Sequence, residues 1–173
     1  MINMIDYKAF RESYCDICGS LCCEGPDSEL GEGCAFLKLE KAKVFAKQRL
    51  PVDKYEHSLR VLEYAHDTAK IYMSGLTTKI LIVAILHDVV EDSDTTLKDI
   101  EEEFGRYIRN CVEVLTHDKE NMSYPEYIDL IMNCPLPEAR AVKHADMRDH
   151  LRQKETLTPK LKEKYFEVID RFI

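Results

Sequence analysis

Four ionisable residues close an otherwise oily run. The stretch ILIVAILHDVVED, from Ile80 to Asp92, begins with seven apolar residues and ends in His87, Asp88, Glu91 and Asp92. The oily part is too apolar on every side for a surface helix, so it reads as a central helix. At 3.6 residues per turn, His87 lies one turn from Glu91, and Asp88 one turn from Asp92. Burying such groups unpaired costs several kcal/mol each, on the order of the effective penalty for buried ions. A divalent cation would offset that cost. An adjacent His-Asp pair offers it one imidazole nitrogen and one carboxylate oxygen, which suits Mn, Fe, Zn or Mg. The competing reading is a helix end fraying into solvent, with His87 near the terminal carbonyls.

Two further residues bear on that choice. His57 is in phase with Val61, Tyr64, Ala65 and Thr68, a largely apolar face that turns the ring inward. A single inward histidine is more often a satisfied core residue than a ligand. Asp146, in AVKHADMRDHL, shares a face with Ala139, Val142, Lys143 and His150. An inward Asp needs a partner, and Lys143 at i−3 could supply a salt bridge instead of a metal. Together, His57, His87, Asp88 and Asp146 give two imidazoles and two carboxylates from three helices. A mixed N/O set with open positions is what a catalytic metal centre needs. His66, His117, His144 and His150 have weaker claims, His66 and His117 reading as surface or loop residues.

The elements that must hold these groups are helical. Residues 35–49 form an amphipathic helix ended by Pro51. Asp53 caps a long helix from Lys54 to about Ser74, stopped by Gly75. Thr77 or Thr78 opens the central helix. Asp94 or Thr95 caps a short one ending at Phe104, with Gly105 as its stop. Helices follow over 106–116, 124–132, from Pro137 to about Arg152, and from Pro159 onward. No alternating run is long enough for a strand. The expected fold is all-α.

The 173 residues suffice for one domain and a small appendage, with 45% hydrophobic and 32% charged residues. No apolar run approaches the roughly 20 residues of a membrane span. No signal peptide is visible at MINMIDYKAF, so a cytoplasmic location and no membrane partner are expected. The net charge of −8 argues against general nucleic-acid binding. It leaves room for a phosphorylated small molecule held by a metal and a few basic residues.

Five of the seven cysteines fall between Cys15 and Cys34, in CDICGSLCCEGPDSELGEGC. Without a secretory signal they read as thiols or metal thiolates. Cys15 and Cys18 have the spacing of a zinc half-site, and Cys22 or Cys23 with Cys34 would complete four ligands. The alternative is a loosely packed thiol-rich tail. The chain is thus divided into a Cys-rich extension, 1–34, and a helical domain, 35–173.

The spacing His57, His87-Asp88, Asp146 resembles the HD-domain metal-dependent phosphohydrolases. Within that superfamily the closer likeness is to the hydrolase domain of RelA/SpoT-type stringent-response enzymes. It is carried by YEHSLRV, AILHDVVEDSDTT, EEFGRYIRNCVEVLTH and VKHADMRDHLR. The resemblance implies an HD-type helical bundle and metal ligands His57, His87, Asp88 and Asp146, usually on manganese. It also implies Glu91 and Asp92 acting on the hydrolytic water, a role that their place one turn beyond the ligand pair also permits. Lys143 and Arg152 match basic positions and could meet phosphate. Two departures stand out. QRLPVDKYEH lacks the Ser-Gly of the family segment before the first His. Arg148-Asp149-His150 replaces the family's Leu-His-Asn.

The expected activity is metal-dependent hydrolysis of a nucleotide, with guanosine 3′,5′-bis(diphosphate) as the first substrate to test at its 3′-pyrophosphate. Hydrolysis of another nucleotide or a phosphomonoester is the nearest alternative. A nucleotide or redox sensor gated by the cysteines is the non-enzymatic one.

Overall fold

A computed structural model describes residues 35–72 and 77–172. Helix α1 covers Ala35–Arg49, α2 Val52–Tyr72, α3 Thr77–Leu86 and α4 Val89–Asp92. Then come α5 (Leu97–Phe104), α6 (Arg106–Leu115), α7 (Tyr124–Asn133), α8 (Pro137–Arg152) and α9 (Pro159–Phe166), followed by a 3₁₀ turn over Ile169–Phe172. No strand occurs among the described residues. Cys15, Cys18, Cys22, Cys23 and Cys34 lie outside them.

The central helix is α3. Every side chain from Ile80 to Leu86 is buried. Helices α1, α2, α6 and α8 surround it. Full burial of a Leu or Ile side chain contributes about 1.5–3 kcal/mol, so this helix is held by packing on all sides. The flanking helices show only one apolar face each: Leu39, Ala42, Phe45 and Ala46 on α1, Val61 and Ala65 on α2, Ala139, Val142 and Ala145 on α8. All of them contribute to one apolar core.

The helix expected over 80–92 is interrupted. It ends at Leu86, and His87-Asp88 form a turn before the single turn of α4. Asp88 has φ −101° and ψ 0°, in the sparsely populated bridge region. The Asp92 N–H still donates to the Asp88 carbonyl at 2.9 Å, so α4 starts afresh. On a continuous helix adjacent side chains diverge by about 100°. The break lets two consecutive residues turn toward one point.

The remaining helices carry local stop and start signals. Thr96, one residue past the expected cap, opens α5 in a reciprocal capping box with Asp99. Gly105, at φ +84°, reverses the chain between α5 and α6. Phe104 then meets Phe45 edge to face, with ring centroids 5.1 Å apart. Ser123 and Glu126 form a second capping box at α7. Thr158 caps α9 by accepting the Leu161 N–H at 3.2 Å.

Candidate functional site

His57 projects from the first turns of α2, Asp146 from the middle of α8, and His87-Asp88 from the turn after α3. The His57 Nε2 lies 3.2 Å from Asp146 Oδ1 and 3.7 Å from Asp88 Oδ2. The His87 Nε2 lies 3.2 Å from Asp88 Oδ1. The two imidazole rings stand 5.3 Å apart. The four residues singled out by sequence thus converge across 89 positions of chain.

The outer nitrogens of both rings are occupied. His87 Nδ1 lies 2.8 Å from the Ala84 carbonyl oxygen, and His57 Nδ1 lies 2.8 Å from Asp149 Oδ2. Their inner Nε2 atoms are buried with no hydrogen-bond partner. A neutral imidazole whose Nδ1 donates presents a bare lone pair at Nε2, the form that ligates metals. Buried polar atoms are rarely left without a partner. Donors at right angles around an ion with bonds of about 2.1 Å stand about 3 Å apart, close to the separations found here. These residues could therefore hold a divalent ion.

The electrostatics agree. Burial lowers the proton affinity of His87, but the charge of the adjacent Asp88 carboxylate outweighs it and pushes its pKa up to about 9. Burial raises the Asp146 carboxyl, yet Lys143, His150 and His57 hold it well below the ordinary carboxylate range. The centre favours positive charge, which an ion supplies more fully than a proton.

The sequence reading missed one neighbour, Asp149, and gave another, His150, only a weak claim. Asp149 is fully buried and bonds to His57 and Arg60. His150 Nε2 lies 3.1 Å from Asp146 Oδ1, and its ring stacks on Tyr165 at 5.4 Å. His57, Asp146 and His150 form a second group whose donor atoms are close enough to share an ion. Both residues lie on α8 about a turn from Asp146, so the helical period alone marks them as neighbours of the inward Asp. Nothing local reveals their distant partners.

Above the centre opens a cleft of about 170 Å³. Asp88, Glu91, Asp92 and Asp146 line it, and so do Lys54, Lys119, Lys143 and Lys164. Four lysines against four carboxylates leave the cleft near neutral in a chain of net charge −8, so a bound divalent ion makes it positive. Tyr124, Tyr127 and Tyr165 form its apolar wall.

The other expected residues are placed as follows. Glu91 lines the cleft, but both its oxygens are engaged: Oε1 accepts the His117 backbone N–H at 2.8 Å and Oε2 pairs with Lys119 Nζ at 2.8 Å. Asp92 pairs with Lys54 Nζ at 3.0 Å. Lys143 makes the alternative contact considered for it, 2.8 Å from Asp146 Oδ2, and also lines the cleft. Arg152 does not reach the cleft lining. Its guanidinium lies over Tyr64, about two turns along α2 from His57, and donates to that hydroxyl at 3.3 Å. His117, read as a loop residue, lines the cleft and stacks on Tyr127 at 4.4 Å.

No family model matches the chain. Among curated proteins, the guanosine-3′,5′-bis(diphosphate) 3′-pyrophosphohydrolase of Mus musculus is 37% identical over 89 residues, 50% of this chain and 50% of its own. That of Xenopus tropicalis is 39% identical over 88 residues, 49% of each chain. A symmetrical bis(5′-nucleosyl)-tetraphosphatase of Staphylococcus aureus is 45% identical over 58 residues, 34% of this chain and 29% of its own. The chain spans about half the length of the pyrophosphohydrolases it matches. A solved structure described as a metazoan orthologue of SpoT that hydrolyses ppGpp aligns with a TM-score of 0.57 at 23% identity, covering 87% of this chain and 86% of that one. That likeness is one of fold. The described helices form an all-α bundle with the fold of that solved structure, and the chain is similar in sequence over half of its length to guanosine bis(diphosphate) 3′-pyrophosphohydrolases.

Proposed function

We propose that this protein is a metal-dependent phosphohydrolase that removes the 3′-pyrophosphate of guanosine 3′,5′-bis(diphosphate). One observation carries the reading. Two imidazole nitrogens without partners converge with Asp88 and Asp146 at the foot of a lysine-lined cleft. His57, His87, Asp88 and Asp146 would hold the ion, Mn²⁺ by the family resemblance, with Fe, Mg or Zn as alternatives. When bound, such an ion supplies Lewis acidity toward a phosphoryl oxygen and acidifies water.

The chain's own residues do the rest. Lys143, Lys119 and Lys164 bind the phosphate oxygens of the nucleotide and orient them toward the centre. Glu91 and Asp92 position the attacking water, and a carboxylate oxygen of Glu91 accepts its proton. The tyrosine wall limits bulk water at one side of the cleft.

Purified protein incubated with Mn²⁺ and guanosine 3′,5′-bis(diphosphate) should yield GDP and pyrophosphate in equal amounts. His87→Ala and Asp88→Ala should remove the divalent ion, as read by elemental analysis. Undiminished metal in both variants would rule the centre out. The Staphylococcus relative favours a second reading, hydrolysis of a dinucleoside polyphosphate. Turnover of bis(5′-guanosyl) or bis(5′-adenosyl) tetraphosphate, with none of the 3′-pyrophosphate substrate, would select it.

A further inference from the structure

We propose that Asp149 is a positioning residue that fixes which nitrogen of His57 carries the proton, and so keeps Nε2 bare for the ion. This rests on the metal-centre reading above.

His57 sits between two sets of carboxylates. On its outer side, Nδ1 is 2.8 Å from Asp149 Oδ2. On its inner side, Nε2 is 3.2 Å from Asp146 Oδ1 and 3.7 Å from Asp88 Oδ2. A neutral imidazole has one proton for these acceptors. On Nε2, the proton would satisfy Asp146 and block the lone pair. On Nδ1, it leaves Nε2 open. Two carboxylates pull inward and one pulls outward, so the outward one must be the better fixed.

Asp149 is fixed in that way. It is fully buried. Arg60 grips both oxygens, with Nε 2.9 Å from Oδ1 and Nη2 3.1 Å from Oδ2. Gln153 Nε2 donates to Oδ1 at 3.2 Å. The carboxylate therefore cannot swing from the ring, and it meets Nδ1 at hydrogen-bond distance. By contrast, Asp146 already accepts from Lys143 at Oδ2 and lies 3.1 Å from His150 at Oδ1, so it has less need of a proton from His57. His87 reaches the same tautomer through the Ala84 carbonyl of its own helix. For His57 the acceptor arrives from a helix 92 positions away. The family segment that this stretch resembles has Leu-His-Asn where this chain has Arg148-Asp149-His150.

Two readouts test the role. In ion-free protein at a pH where the ring is neutral, ¹⁵N shifts of His57 should show the proton on Nδ1. Mn²⁺ affinity, followed by electron paramagnetic resonance, should fall about 10- to 100-fold in Asp149→Ala, the usual cost of losing the partner of a ligating histidine. Asp149→Asn keeps an amide oxygen that can accept from Nδ1, and should retain the tautomer and recover part of the affinity. Arg60→Gln removes the ion pair but not the carboxylate, and should weaken Mn²⁺ less than Asp149→Ala does. A wild-type ring protonated on Nε2 overturns the proposal and needs no variant. So does a folded Asp149→Ala that binds Mn²⁺ as wild type does while His87→Ala has lost it. If His87→Ala also binds normally, the metal-centre reading falls as well.

Discussion

Glu91 and His117 are joined across the cleft: the Glu91 Oε1 accepts the backbone N–H of His117 at 2.8 Å. The bond ties the single turn of α4 to the loop after α6. Lys119 Nζ holds the other oxygen at 2.8 Å. A carboxylate held at both oxygens is oriented, and each oxygen retains a lone pair. Glu91→Gln preserves an acceptor for His117 but cannot take a proton. It should bind Mn²⁺ within a few-fold of wild type while turnover drops roughly 100- to 10,000-fold. Asp92→Asn, which weakens the pairing with Lys54, should cost less. Steady-state rates on the best substrate decide it: wild-type turnover in both variants would remove these carboxylates from the mechanism.

Lys164 is the cleft lysine without an ion-pair partner among the described residues. Its ammonium lies 3.7 Å from the centre of the Tyr124 ring. Burial and the charges of Lys143 and Lys119 all lower its pKa. Such repulsion between cations is relieved by a bound polyanion. Lys164→Ala should therefore raise KM for a pyrophosphate-bearing nucleotide by about 10- to 100-fold, the worth of one hydrogen bond to a charged group, and leave Mn²⁺ binding unchanged. An unaltered KM, measured across several salt concentrations, would place the phosphates elsewhere.

The helices and the four convergent residues could be read from the sequence because their signals are local. Pro51, Gly105, Pro137 and Thr158-Pro159 punctuate the chain where the helices begin or end. His57 and Asp146 betrayed themselves as polar groups on apolar faces. The break at His87-Asp88 was not legible. A helix that is oily all round has no phase to lose, and the residues that face the turn, His57 and Asp146, come from α2 and α8, far away in sequence. The Asp149 network was missed for a related reason. Its bonds to Arg60 and His57 span 89 and 92 positions, and an Asp near a helix end reads as solvent-facing. Arg152 lies over Tyr64 instead of in the cleft lining, a placement that its match to a basic family position does not reveal.

Cys111 offers a check on the packing between α6 and α8. It is fully buried. Burial, then the nearby Glu138 carboxylate, push its thiol up to about 12. The thiolate is the reactive form, so Cys111 should resist alkylation in mildly alkaline buffer and react once the protein is unfolded. Peptide mapping by mass spectrometry distinguishes it from Cys134 and from the cysteines before position 35. If Cys111 stays inert, any thiol chemistry that gates this domain must reside in the other cysteines. Labelling in the native state at the rate of a free thiol would contradict its burial.

The Thr96–Asp99 capping box gives a pH test away from the metal centre. Asp99 Oδ2 accepts from the Thr96 backbone N–H at 2.8 Å and from its hydroxyl at 2.7 Å. These two bonds, the side-chain one first, hold the Asp99 carboxyl below its ordinary value. A folded-state pKa depressed below the unfolded one means that the contribution is fully present above the unfolded pKa, about 3.9. It is lost as pH falls through the folded value. Asp99→Ala removes the carboxylate at every pH. Its stability deficit relative to wild type should therefore be constant at neutral pH, shrink below about pH 4 and reach its minimum once wild-type Asp99 is itself protonated. Urea midpoints measured down the acid limb give the comparison. A deficit that stays constant into strong acid would mean that the carboxylate charge plays no part in capping α5, and that the Ala variant loses only local packing.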